Sequence, residues 1–274
     1  MNMYSAVRLA AAAGVVVVAS TSAQATLYGW NYVQGQPGVT PGPSSMPGGT
    51  VASINSTFDS VTKRLTFDVF FRGSTASPNS NITSGFWLVL NDGPNPKTHA
   101  GELAILYFDA ATLSAPKLSV YGYNGLNNNS SWQDGAADQS GNQTPDLIKG
   151  IYETSYINSI LAESTTIAGL NYRHMKFDID ASDLVSHTPL YPEDGPWHGT
   201  GFDDQLGIWF HALDSFNASY ESSGGGRRGK ITSLSTSGET YFDGSNITTF
   251  IIPTPSSAAL LGLGGLVALR RRRA

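Results

Sequence analysis

Lys63-Arg64-Leu65-Thr66-Phe67-Asp68-Val69-Phe70-Phe71 is the stretch that decides the fold. Leu65, Phe67, Val69 and Phe71 alternate with Arg64, Thr66, Asp68 and Phe70. Successive side chains of a strand point to opposite faces, so a period of two describes a strand with one face buried. Further runs of this kind extend in the C-terminal direction. Residues 84–90 are apolar and aromatic and stop at Asn91-Asp92-Gly93-Pro94, a strong turn signal. Residues 102–108 follow as the expected hairpin partner, and 117–123 continue the pattern. Later strands are expected at 172–179, 205–213, 231–235 and 247–252, and residues 181–185 suit a single helical turn. No long 3.6-residue period appears. Short strands separated by Gly, Pro and Asn turns predict an all-β body, a β-sandwich or jelly roll, in a single domain over residues 26–252.

Composition points the same way. Only 14% of the residues are charged, and the chain carries 30 glycines. Polarity of that type favours strands and turns over charged amphipathic helices. The net charge is −5, and four of the sixteen Lys and Arg residues stand at the extreme C-terminus, so residues 26–252 are more acidic than the whole. An acidic body does not suit nucleic acid as a partner, because that partner requires a basic surface. The sequence contains no cysteine, which excludes disulfides, thiolate metal sites and cysteine nucleophiles.

The ends carry an address. Arg8 precedes an apolar run from Leu9 to Ala19, and Ala23 and Ala25 stand at −3 and −1 of a signal-peptidase site. This predicts a signal helix over residues 1–25, cleaved before Thr26. At the other end Pro253-Thr254-Pro255 leads into the apolar residues 258–269 and then Arg270, Arg271, Arg272 and Arg273. A full span needs about 20 residues. The run is therefore a marginal, transient membrane helix, with its arginines on the cytoplasmic side and the body outside.

This tripartite tail resembles the PEP-CTERM sorting signal. The resemblance covers Pro253 and Pro255, the Leu/Gly-rich helix from Leu260 to Leu266 and the arginine cluster, and it departs at Thr254, where the family usually has Glu. It implies processing by an exosortase at the cell membrane, followed by delivery to the cell surface or an exopolysaccharide-rich extracellular matrix. The block from Gly85 to Lys97 and the run Leu206-Gly207-Ile208-Trp209-Phe210-His211 are similar to uncharacterised β-sandwich bodies that accompany this signal.

Within the body the candidate sites are few. Asp138, Ser140, Asn142 and Asp146 place oxygen ligands along one loop. Calcium takes six to eight such ligands, but the spacing is not that of an EF-hand and a solvated loop is the default. Asp178, Asp180 and Asp183 resemble the acid spacing of a sandwich-fold glycoside hydrolase, although Asp stands where that family has Glu. A turn or helix cap explains the same residues. Gly224-Gly225-Gly226-Arg227-Arg228-Gly229 reads as a basic hairpin loop, since no strand-to-helix context makes it a phosphate cradle. The five histidines lack zinc-ligand spacing, and His211 is expected to share a face with Trp209. Trp132 and Trp197 fall in loops and are the candidate sugar-stacking residues. With no catalytic constellation and no cofactor motif, the expectation is a non-enzymatic exported envelope or matrix protein. A lectin-like carbohydrate-binding module is the alternative, and a glycoside hydrolase the further one.

Overall fold

The computed structural model describes residues 27–33, 50–72, 83–92, 100–126, 146–192, 195, 197–202, 206–213, 215–237, 240–243 and 249–252. Fourteen strands and one short helix account for most of them. In chain order the strands are β1 (Leu27–Val33), β2 (Thr50–Asp59), β3 (Arg64–Arg72), β4 (Gly85–Asn91), β5 (Ala100–Asp109), β6 (Lys117–Leu126), β7 (Asp146–Lys149), β8 (Ile157–Ile167) and β9 (Leu170–Asp180). The helix α1 (Ser182–Val185) precedes β10 (Gly207–Ala212), β11 (Ser215–Tyr220), β12 (Ile231–Ser237), β13 (Thr240–Asp243) and β14 (Thr249–Ile252). They form a six-stranded sheet in the order β14-β1-β2-β3-β9-β8, a second in the order β13-β10-β4-β5-β6-β7, and the hairpin β11-β12. Every pairing is antiparallel.

The alternation in β3 sets the first sheet. Leu65, Phe67, Val69 and Phe71 are buried, and the residues between them are partly exposed. Their neighbours Met175, Phe177 and Ile179 on β9 point the same way. Phe86, Leu88 and Leu90 of β4, Leu106 and Phe108 of β5 and Phe210 of β10 meet them from the second sheet in one continuous core. Phe67 contacts Phe177 at 5.7 Å, Phe86 at 5.4 Å and Phe210 at 5.3 Å between ring centroids. Each such ring, fully buried, contributes on the order of 1.5–3 kcal/mol.

The expected hairpin of β4 and β5 is present, with Gly85 opposite Asp109 and Leu90 opposite Ala104. Every residue of β4 is buried, on both faces. The hairpin β11-β12 explains part of this, because it covers the outer face of the second sheet. Phe216, Ile231 and Leu234 pack there against Trp87, Tyr107 and Tyr121 in a second apolar cluster. Gly85 admits this contact: a Cβ at that position would lie 2.7 Å from the Phe216 Cβ. Tyr121 Oη accepts the Ile231 N–H at 2.8 Å, and the Ser84 hydroxyl accepts the Phe216 N–H at 2.9 Å.

Two turns show how local chemistry ends the strands. Asp59 Oδ1 accepts the N–H groups of Val61 and Thr62, and Lys63 takes a positive φ of 55° before β3 starts. Ala168 and Gly169, with φ of 51° and 77°, connect β8 to β9 as a two-residue turn, where positive φ at both positions matches the twist of the strands. Among the described residues no helix is long and apolar enough to cross a membrane. The expected signal helix and C-terminal helix lie outside the described residues.

Candidate functional site

The acidic trio resolves into three structural roles. Asp178 and Asp180 share the outer face of the first sheet, as their spacing on a strand requires. Asp178 accepts a two-pronged contact from Arg64, through Nε at 2.8 Å and through Nη2, and a further bond from Asn158 Nδ2 at 3.1 Å. The hydrogen bond from the Arg64 guanidinium holds the Asp178 carboxyl below the usual carboxylate range, against a smaller opposing effect of burial. Asp180 accepts from the Ser182 N–H at 2.9 Å and its hydroxyl at 2.6 Å, fixing the entry to α1. Asp183 pairs with Lys149 at 2.5 Å. The turn reading of this segment accounts for what Asp180 does, since the N-cap position of α1 is Ala181 and no side chain caps the helix, and Asp178 is held by its own cation.

Trp197 corrects an expectation. It stands in a loop, yet its side chain is fully buried in the main core rather than presented to a sugar. The reason is Gly122 on β6, where a Cβ would lie 2.4 Å from the indole. The missing side chain leaves a slot, and an indole gains more from filling apolar space than from exposure. His211 lies between two tryptophans, 4.3 Å from Trp87 and 4.2 Å from Trp209 by ring centroids, on the second sheet's outer face. All three are buried, so this is a packed slab and not an open platform.

Of the calcium candidates, Asp146 opens β7. Gly195, at φ 56°, closes against its carboxylate, and a Cβ at Gly195 would lie 2.1 Å from Oδ1. Asp138, Ser140 and Asn142 lie outside the described residues, as do Trp132, Ala23, Ala25, Pro253, Thr254, Pro255 and Arg270 to Arg273. Among the described residues no group of three or more His, Asp or Glu is arranged to hold a metal ion.

Among the described residues, one open feature is a cleft of about 250 Å³ at the Gly-rich loop joining β11 to β12. Leu147, Tyr191, Pro192, Glu221, Arg227, Arg228 and Lys230 border it, together with Gly225 and Gly226. The loop's glycines are required: Gly224, Gly225, Gly226 and Gly229 all have positive φ, at 118°, 63°, 77° and 83°. The two arginines it carries have opposite fates. Arg228 is buried, donating from Nε to Glu153 at 2.8 Å, from Nη1 to the Leu147 carbonyl at 3.0 Å and from Nη2 to the Ile148 carbonyl. Its guanidinium also stacks 4.4 Å from the Tyr191 ring centroid. Glu153 Oε2 accepts the Gly150 N–H at 2.7 Å as well, and Gly150 lets the two segments touch, since a Cβ there would lie 1.9 Å from the Arg228 carbonyl oxygen. Arg227 is exposed instead, and its side chain has no ion pair or hydrogen bond among the described residues.

The basic loop was legible in the sequence as a hairpin. Tyr191, Pro192, Glu221 and Lys230 were not singled out as partners of it. The only local signal was the glycine spacing around two arginines, and nothing local links residues 191 and 221 to it. Comparison with known proteins finds no matching family model, no matching curated protein and no matching solved structure.

Proposed function

We propose that the chain is an exported, non-enzymatic protein of the cell envelope or extracellular matrix, processed at both ends, with a concanavalin-like or jelly-roll body. The observation that supports this best is the register of β1 with β14. Leu27 pairs with Ile252, so the first strand begins where the last one ends. Residue 26 follows the expected signal-peptidase site and residue 253 opens the sorting tag. The residues next to them, Leu27 and Ile252, stand opposite each other at one sheet corner, about 5 Å apart in Cα spacing. A body with both leads at one corner can fold outside a membrane while each lead is still held in it, and it loses no strand when either is cut. Intact-mass spectrometry of the mature protein is the test. The expected mass begins at Thr26 and ends near Pro253 to Pro255, and retention of residues 258–274 would refute the sorting reading.

The second reading, carbohydrate binding, is favoured by one observation. Exposed apolar side chains gather near the open cleft: Leu190 is 78% exposed, Tyr191 48% and Tyr152 44%. Tyr191 lines the cleft, Leu190 precedes it in the chain, and the Tyr152 hydroxyl donates to the Glu221 carbonyl at 2.8 Å. Rings with one open face suit a sugar, whose C–H faces are apolar and whose edges are polar.

A further inference from the structure

We propose that the cleft between Tyr191 and the 224–229 loop binds the carboxylate-bearing residue of an acidic polysaccharide. This assignment rests on the carbohydrate-binding reading and names its site and ligand class. The charge balance comes first. Arg227, Arg228 and Lys230 meet here in a chain of net charge −5. Glu153 neutralises Arg228, whose donors are engaged by Glu153 and two strand carbonyls. Among the described lining residues, Arg227 and Lys230 then face Glu221, so that these three side chains carry one positive charge in excess. The Arg227 fork matches a carboxylate through two parallel N–H donors, which a lysine cannot do alone.

Glu221 narrows the choice of anion. Its carboxylate accepts the Lys230 N–H at 3.3 Å and retains further acceptor capacity toward the cleft. A doubly charged phosphate would be repelled by it, whereas a singly charged carboxylate beside hydroxyl donors would have both of its features met. Tyr191 and Pro192 supply an apolar wall for a ring. The volume of about 250 Å³ lies below that of pockets enclosing drug-sized ligands, roughly 300–1,000 Å³. One sugar residue fits such a space while the rest of its chain continues into solvent. Beneath the cleft, Arg228 is braced by Glu153 and by the carbonyls of Leu147 and Ile148 in β7.

The experiment is calorimetric titration of the full chain with an oligogalacturonate, with its fully methyl-esterified counterpart and with inorganic phosphate. The acidic oligomer is expected to bind, and the ester to bind at least about tenfold more weakly, since loss of a charge-assisted contact costs about that much. Arg227→Ala and Lys230→Ala should each weaken the acidic oligomer by a similar factor with an unchanged thermal midpoint, which separates lost contact from lost folding. If the ester binds as well as the acid and Arg227→Ala changes nothing, the cleft assignment falls while carbohydrate binding stands. Phosphate displacing the oligomer at equal concentration would make this a general anion site and overturn the saccharide assignment. Absence of binding by both oligomers overturns the assignment and the carbohydrate reading together, and leaves the exported-protein reading to its own mass measurement.

Discussion

Replacing Arg228 by Met keeps the length of the side chain and removes its charge and donors. The wild-type Arg228 side chain is 8% exposed, and its guanidinium makes bonds to Glu153 and to the carbonyls of Leu147 and Ile148 in β7, an edge strand of the second sheet. In the variant those two carbonyls lose their donor. Glu153, with 24% of its side chain exposed, keeps the Gly150 N–H and reaches some water. Breaking a buried ion pair by removing one partner costs about 3–5 kcal/mol, and the partial exposure of Glu153 places this case at about 3. For a body of this size each kcal/mol moves the thermal midpoint by about 2–4 °C, so a fall of about 6–12 °C is expected. Arg227→Met is the matched control. It changes the same residue type one position away on the exposed side, and should stay within about 0.5 kcal/mol of wild type. Arg228→Lys should recover little, because one ammonium cannot span three acceptors set around a planar fork. Calorimetric unfolding or urea denaturation reads all three variants. Equal midpoints for Arg228→Met and Arg227→Met would refute the division of labour between the two arginines, and with it the claim that the base of the cleft is fixed by Arg228.

Two further outcomes follow from the same structure. Trp197→Ala should cost about 3–5 kcal/mol by urea denaturation, as for other buried aromatic truncations, whereas a cost under about 0.5 kcal/mol would mean that the indole is not in the core. Asp178 has a folded pKa depressed below the ordinary value near 3.9, so its contribution is present above that pH and lost as pH falls through the folded value. The gap in urea midpoint between wild type and Asp178→Asn should be wide at pH 7 and narrow as the pH falls below the ordinary carboxylate range, and a gap independent of pH would exclude the Arg64 pairing as its source.

Most of the strands that sequence reasoning found share one property, a face committed to a core, whereas β12, also found, buries only Ile231 and Leu234. β3 alternates cleanly, and β4, β5, β6, β9 and β10 carry enough apolar residues to mark themselves. β8 was missed, because at the edge of the first sheet most of its eleven residues face water and Ile157-Asn158-Ser159-Ile160-Leu161-Ala162-Glu163 has no clear period. β7 and β13 are four residues each and too short to show one. β11 carries a single fully buried side chain, Phe216, and its role as a cover for the second sheet depends on Gly85 being bare.

The sequence by itself determined the strand chemistry, because that rests on local order, a period of two with one face apolar; the proposed terminal address signals rest on local order as well, a charged start, an apolar run and an arginine stop. It also identified the 224–229 segment as a hairpin loop. Only the tertiary structure decided which polar residues are structural and which stay open. Trp197 lies in a loop by sequence and in the core by structure, since the slot it fills is made by Gly122, 75 positions away. Arg227 and Arg228 are identical neighbours in sequence, but Glu153 and the β7 carbonyls claim one and leave the other exposed. Burial and pairing depend on what the rest of the chain brings to a side chain, and that is set by sheet order and not by neighbours along the sequence.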